Sequence, residues 1–404
     1  MTTIPRRSTS QLMPSLNIAP SSQGPLRGIT VVELGHSVAA PYAGQVLADL
    51  GARVIKVENP QAGDYARGWG PPYWGGAATI FTALNRGKES VTVDFSVAEE
   101  AARLRKLIVD EADAVIQNLR PNLLSKFGLG AEDLMSLKPS LIWCDIGAFG
   151  SVGPMKEKPG YDPLVQASAG IMSITGEADR PPVRVGVSIV DMGTALWAVI
   201  GLLAALVGRR GDGAGRNIGT SLYETGVAWM TVPLAGYLAT GELRKPQGSG
   251  SAEIVPYQVF ATATGAVMIA AGNDRLFAKL VAALGIADLA DNAELRTNAG
   301  RVKHRDLVIN TIMAVLADRP LEDVCAALDH AGVPNSPLLD VAGVADSEQT
   351  KALGMLTPCA EDTLPLVGTP ITFDGVRYRS DSKAPGLGQH NPDHWPAGIS
   401  APAD

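Results

Sequence analysis

Asp162 stands in the run Lys158-Pro159-Gly160-Tyr161-Asp162-Pro163-Leu164-Val165-Gln166-Ala167-Ser168-Ala169-Gly170. A carboxylate set after a Gly-Tyr turn, at the head of an apolar Ala/Gly-rich run, is a candidate covalent nucleophile: it can attack an activated carbonyl and be regenerated in a second step. The same residues also describe a helix N-cap, in which Asp162 accepts hydrogen bonds from the orphan N–H groups of a first turn. On local grounds both readings stay open.

Other residue types narrow the chemistry. Cys144, Cys325 and Cys359 are scattered without CxxC spacing, which points to a reducing compartment and away from structural zinc. His36, His304, His330, His390 and His394 contain no HExxH-like pair, and Pro392 separates the only two that are four apart. No metal site is expected. Glu58 ends a strand about where a ribose-binding acid would sit in a dinucleotide fold, yet Gly35-His36-Ser37-Val38-Ala39-Ala40-Pro41 lacks the glycine fingerprint, which argues against NAD or FAD. Asp64, Arg67 and Trp69 to Pro72 form a polar-aromatic loop. Asn85-Arg86-Gly87-Lys88 and Asn118-Leu119-Arg120-Pro121 close elements on one sheet edge, where basic residues either hold phosphates or are plain surface charges.

The elements that must position these residues alternate. Residues 29–34 read as a strand, 42–50 as a helix ending at Gly51, and 53–58 as a second strand, a βαβ unit that implies a parallel sheet. Further strands are expected at 90–94, 114–118, 141–146 and 217–222, and a helix at 98–111. The pattern is a doubly wound, Rossmann-like α/β domain. A long helix is expected from there to Thr240, then a Gly/Ser turn at 247–251, a hairpin over 255–260 and 266–271, and helices at 275–284 and 305–317. The domain reading is a disordered tail at 1–25, a large domain at 26–224, a smaller α/β domain at 225–334, and a return to the large domain at 335–404.

The chain has 404 residues, 46% hydrophobic and 19% charged, enough for a sizeable core. A net charge of −7 argues against nucleic acid as a partner. The longest apolar run, Met192 to Val207, is short of the ~20 residues of a membrane span and reads as a buried helix. The first 23 residues carry Arg6, Arg7, five Ser and no acid. Two adjacent arginines do not make an amphipathic Arg-rich helix, so the reading is a disordered tail on a cytoplasmic protein, with a transit peptide to the mitochondrial matrix as the alternative.

Taken in order, several landmarks resemble the class III CoA-transferases, the family of formyl-CoA and carnitine CoA-transferases, from about Leu26 to His390. They are Leu26 to Ile29, Ala40-Pro41, Leu50 to Glu58, Gly63-Asp64, Asn85 to Lys88, Gly153-Pro154, Gly160-Tyr161-Asp162, Thr175-Gly176, Gly201 to Leu206 and Gly386 to His390. Within the family, Ile254 to Phe260, Ala271 to Asp274, Thr297-Asn298, Arg301-Val302, Arg305, Trp69 to Pro72 and Gly332 to Pro334 resemble the succinyl-CoA:glutarate CoA-transferases.

The resemblance implies that Asp162 is the nucleophile, acting through aspartyl anhydride and aspartyl-CoA thioester intermediates. It implies an acyl-CoA and a small carboxylate as substrates, no permanently bound cofactor, and an interlocked homodimer. It places His36, Val38, Ala39, Asn59, Lys88, Asn118, Leu119 and Lys126 around CoA, with Val38 where the family has Gln, Asn59 and Lys126 where it has Arg, Leu119 for Phe and Gly147 for Lys. Gly248-Ser249-Gly250 resembles a glycine loop that covers the anhydride. Arg67 and Arg86 are candidates for the distal carboxylate of a dicarboxylate substrate. The family also contains α-methylacyl-CoA racemases. Asp191 matches their second Asp, but Tyr161 replaces their His, and a phenol is a poor base at neutral pH. A non-catalytic acyl-CoA-binding protein is the remaining alternative.

Overall fold

The structure, a computed structural model, describes residues 16–358 and 364–395. Cys359 and residues 1–15 of the expected tail lie outside the described residues. The chain divides into two compact units. The larger holds the described residues up to Ile171, Val185–Ala235 and those from Ala345 onward. The smaller holds Met172–Arg184 and Gly236–Val344.

The larger unit is built on β1 (Thr30–Leu34), α1 (Ala39–Asp49), β2 (Arg53–Glu58), α2 (Thr79–Asn85), β3 (Lys88–Thr92), α3 (Ala98–Glu111), β4 (Ala114–Gln117), α4 (Ala131–Leu137), β5 (Ile142–Gly147), α5 (Asp162–Ser168), α6 (Ile189–Asp212), β6 (Asn217–Ser221) and α7 (Leu222–Trp229). The six strands form one parallel sheet in the order β3-β2-β1-β4-β5-β6. This is the doubly wound order, and it reverses between β1 and β4. Thr-Val-Val-Glu-Leu in β1 and Arg-Val-Ile-Lys-Val-Glu in β2 are β-branched runs buried on both faces, as central parallel strands must be. Beneath one face, α3 presents Ala101, Leu104, Leu107 and Ile108 at helical spacing to Val32, Leu34, Ile55 and Val57. Glu99 and Glu100 in its first turn suit the helix dipole. α1 and α6 pack together.

The apolar run at 192–207 is the body of α6, a 24-residue helix long and apolar enough by length and composition to cross a membrane. It packs on β5, β6 and α1 through a face that includes Val190, Thr194, Ala198 and Leu202. Its other face is not buried as the sequence suggests: Leu196, Trp197, Ile200 and Val207 are exposed.

Three boundaries are corrected. The expected tail is structured from residue 16, because Asn17–Pro20 pairs in parallel with Val376–Arg379. The single long helix ending at Thr240 is two, α7 and α8 (Thr231–Thr240), since Pro233 lacks an N–H and fits only a first turn. The smaller unit is not 225–334. Residues 222–229 belong with α5 and α6, whereas β9 (Asn335–Pro337) pairs with the hairpin β7 (Tyr257–Thr262) and β8 (Gly265–Ala270). That three-stranded antiparallel sheet packs with α9 (Asp274–Leu284), α10 (Arg305–Leu316) and α11 (Leu321–Ala331) around Phe260, Ile269, Phe277, Leu280, Ile312 and Leu328.

Candidate active site

In a doubly wound sheet, ligands bind beyond the carboxyl ends of the strands where the order reverses. Here the loops after β1 and β4 meet at that point. The Asn118 side chain clamps the backbone of His36: Oδ1 accepts from His36 N at 3.0 Å and Nδ2 donates to His36 O at 2.9 Å. The next residue, Ser37, is buried with φ 73°, a left-handed conformation that costs a non-glycine residue about 1–2 kcal/mol. Its N–H donates to Asp64 Oδ1 at 2.9 Å. Val38 then caps α1, and Val38 and Ala39 are both buried.

Below this loop lies a cluster of buried charges. Lys56 Nζ contacts Glu33 Oε1, Asp64 Oδ2 and the Gly35 carbonyl, each at 2.8 Å. Lys88 Nζ contacts Glu33 Oε2 at 2.7 Å, and the Pro41 carbonyl and Asn85 Oδ1 at 2.8 Å. Each ammonium thus donates two hydrogen bonds, Lys56 to Glu33 Oε1 and Gly35 O and Lys88 to Pro41 O and Asn85 Oδ1, and makes one further ion pair, with Asp64 Oδ2 and Glu33 Oε2 respectively. Burial, with Lys56 nearby, pushes the Lys88 pKa down to about 8 against the pull of Glu33, so it is an ammonium at neutral pH. Burial would raise Asp64, but Lys56 and the N–H groups of Ser37 and Ala66 outweigh it and hold the carboxyl below its ordinary value. Gly44 makes room for the cluster, because a Cβ there would collide with Glu33 Oε2. The His36 imidazole is lowered by burial, with Asp64 opposing and Lys56 adding, and its ring meets Tyr65 edge-on at 5.0 Å.

Several expectations change under this geometry. Lys88, expected at CoA, has a side chain with no exposure and is spent inside the cluster. Arg86, expected at a distal carboxylate, is buried against Asp49, with Nη2 at 2.5 Å from Oδ2. Arg67 donates two hydrogen bonds to Glu58 and a third to the Pro385 carbonyl, and it lies 3.8 Å over the Phe81 ring. Glu58 is correspondingly taken by Arg67, Ser90 and the Asp64 N–H, so it is not a free ribose-binding acid. Asn59 caps its own turn through the N–H groups of Gln61 and Ala62. Lys126 is exposed, and Leu119 is half-buried beside Asn118. In the smaller unit, Gly248 (φ 59°) donates its N–H to Gly176 O, and Ser249 Oγ accepts from Val259 N. Gly248 and Ser249 line a 250 Å³ cavity with Glu177, Gln258, Phe260 and Met313, and Gly250 closes the turn onto Gln247 O.

Asp162 opens α5 and is 2% exposed. It is the first helical residue, not the cap; Tyr161 holds the cap position and is exposed. Oδ1 accepts from Gln166 Nε2 at 2.6 Å. Oδ2 accepts from the N–H groups of Val190 at 2.8 Å and Asp191 at 3.2 Å, in the first turn of α6. The carboxylate therefore sits on the positive end of a second, long helix. Gly160 lets the backbone leading into α5 run close, since a Cβ would come within 2.9 Å of the Ala148 Cβ. Burial and the neighbouring Asp162 charge push the Asp191 pKa up to about 7. No histidine bonds to Asp162 among the described residues, and no group of three or more potential metal ligands occurs there. Sequence reasoning missed Gln166, the α6 N-terminus and the Lys56 cluster. The signal for the last was present, as Glu33 and Lys56 interrupt otherwise apolar strands.

Known proteins resemble the chain over most of its length. A succinate–glutarate CoA-transferase of Agrobacterium fabrum is 38% identical, over 92% of this chain and 95% of its own. A mouse succinyl-CoA:glutarate CoA-transferase is 35% identical, over 91% and 85%. The crystal structure of a CAIB/BAIF family protein from Brucella suis superposes with a TM-score of 0.83 at 39% identity, covering 92% of this chain and 98% of that one. The family described as CoA-transferase family III matches residues 26–391, and the chain belongs to it and is a CoA-transferase.

Proposed function

We propose that the enzyme moves CoA from succinyl-CoA to glutarate or a closely similar dicarboxylate, with Asp162 as the covalent carrier. The observation that carries the reading is the buried Asp162 carboxylate, fixed by Gln166 and by the first N–H groups of α6. The names of the relatives support the substrate pair. In this reading an oxygen of Asp162 attacks the donor thioester carbon, the C–S bond breaks, and CoA thiolate leaves a mixed anhydride. The thiolate then attacks the aspartyl carbon and expels the donor acid, giving aspartyl-CoA. The acceptor carboxylate displaces the thiolate to form the second anhydride. The thiolate finally attacks the acceptor acyl carbon, releasing product and the free carboxylate. A thioester is exchanged for a thioester, so no ATP is consumed. The loop from Gly35 to Ala39, pinned at the topological switch point, is where CoA is read, and Lys88 supports that loop from beneath.

We also infer a homodimer. The exposed Leu196, Trp197, Ile200 and Val207 of α6, with Trp229 and Val232, form the kind of apolar surface that a second copy covers. The racemase reading is disfavoured by the exposed Tyr161 and by the lack, among the described residues, of a histidine bonded to Asp162.

The test is a panel of carboxylates offered with succinyl-CoA and read by mass spectrometry of the CoA products. Glutarate is expected to exceed butyrate by at least about tenfold in kcat/KM. Equal use of butyrate would overturn the dicarboxylate assignment.

A further inference from the structure

We propose that the two oxygens of Asp162 have separate, permanent jobs: Oδ1 is the atom that attacks and is exchanged in every turnover, and Oδ2 is retained as the carbonyl oxygen. The inference rests on Asp162 being the nucleophile. Its basis is the unequal set of donors. A carboxylate oxygen has two lone-pair sites. Oδ2 spends both, on Val190 N at 2.8 Å and Asp191 N at 3.2 Å, and has none left to attack with. Oδ1 spends one, on Gln166 Nε2 at 2.6 Å, and keeps the other.

The donors also differ in freedom. The two N–H groups on Oδ2 belong to the backbone of α6 and cannot turn away. The donor on Oδ1 is a side chain, four residues on in the same helix, and it can release its hydrogen bond as Oδ1 becomes the poorly basic bridging oxygen of an anhydride. Gln166 is fully buried, and Val185 N donates to its Oε1 at 2.8 Å. That second bond orients the amide, so its NH₂ and not its carbonyl faces Asp162. Gln166 is thus a positioning residue that decides which oxygen is presented.

The chemistry follows. When thiolate or acceptor carboxylate adds to the aspartyl carbon, the charge that develops falls on Oδ2, which already faces two N–H donors and a helix N-terminus. These groups serve as an oxyanion hole for attack on the enzyme's own carbonyl. Counting atoms, Oδ1 forms the bond to the donor acyl carbon and leaves with the donor acid when thiolate breaks the bond from the aspartyl carbon to Oδ1. An acceptor oxygen then bonds to the aspartyl carbon in its place. It stays behind when thiolate takes the acceptor acyl group. Each turnover exports one enzyme oxygen and imports one from the acceptor.

The experiment runs the enzyme for many turnovers with succinyl-CoA and glutarate labelled with oxygen-18 in both carboxylates. The mass of the peptide containing Asp162 is then measured. One heavy oxygen, never two, is the expected result. Two heavy oxygens would overturn the proposal, because the carboxylate would then be turning over between cycles while still acting as the carrier. No heavy oxygen would remove Asp162 from covalent catalysis and overturn both readings. Gln166→Met keeps the side-chain length and deletes the donor. It is expected to lower kcat about tenfold to a hundredfold with little change in KM, and to admit the second heavy oxygen. A variant that still takes up one label shows that the backbone donors act alone and overturns the role given to Gln166. The count on the unmodified enzyme decides the oxygen assignment even if the variant fails to fold.

Discussion

Asp162→Ala is expected to lower transfer by several orders of magnitude while acyl-CoA still binds, since the group lost is the covalent carrier and not a CoA contact. Isothermal titration beside a transfer assay checks both halves, and activity within about tenfold of the parent would remove Asp162 from the mechanism. Asp191 makes a different prediction. Burial, then the Asp162 charge, raises its pKa to about 7, above the value near 4 of an unfolded aspartate. Between those values the folded state binds more protons than the unfolded one, so this group makes stability fall as pH rises from about 4 to about 7 and stay level above. Asp191→Asn cannot ionise. It should melt a few degrees above the parent at pH 8 and together with it near pH 4. Thermal unfolding at the two pH values is the measurement, and an equal offset at both would show that the effect is not one of ionisation.

The loop after β1 depends on charges supplied by β1, β2 and β3, and this dependence can be broken at one atom. Lys56→Met leaves Glu33 and Asp64 without their shared ammonium in a fully buried site, an imbalance worth about 3–5 kcal/mol. Denaturant unfolding should register that loss, and in protein that remains folded the KM for acyl-CoA should rise more than kcat falls. A change below about 1 kcal/mol would mean that the cluster is not what holds the loop. The strands themselves were legible from sequence because β1, β2, β4, β5 and β6 are short runs bounded by turns, β-branched in β1, β2 and β4, and their ends fell within a residue or so of the observed ones. Asp162 was legible from its Gly-Tyr context and the order of landmarks around it. What stayed hidden depends on contacts distant in sequence. Lys88 sits at a strand edge in the sequence, yet it is buried because α1 closes over it. Arg86 looked free because its partner Asp49 lies 37 residues away. The two backbone donors to Asp162 come from residues 28 and 29 positions on, where no local pattern marks them.

At the scale of the whole molecule, the apolar face of α6 predicts a second copy, and light scattering at low concentration should give about twice the 42.1 kDa of the chain. A stable folded monomer would contradict it. The far end of the described chain also closes the sheet. β3 is an edge strand. Its outward backbone groups are met by His390, whose Nδ1 accepts from Ser90 N at 3.1 Å and whose N–H donates to Ser90 O, and by Asn391, whose Oδ1 accepts from Thr92 N at 2.9 Å. Ser90 and His390 are 300 residues apart. At about 5–20 residues per second, a ribosome needs roughly 15–60 s to make that interval. Throughout that time the nascent chain carries an uncapped β edge, the surface on which strands of neighbouring chains pair. The enzyme is therefore most exposed to misassembly while it is being made, and a message cut short before codon 390 would yield a chain able to build most of its sheet without the His390 and Asn391 contacts that meet the edge.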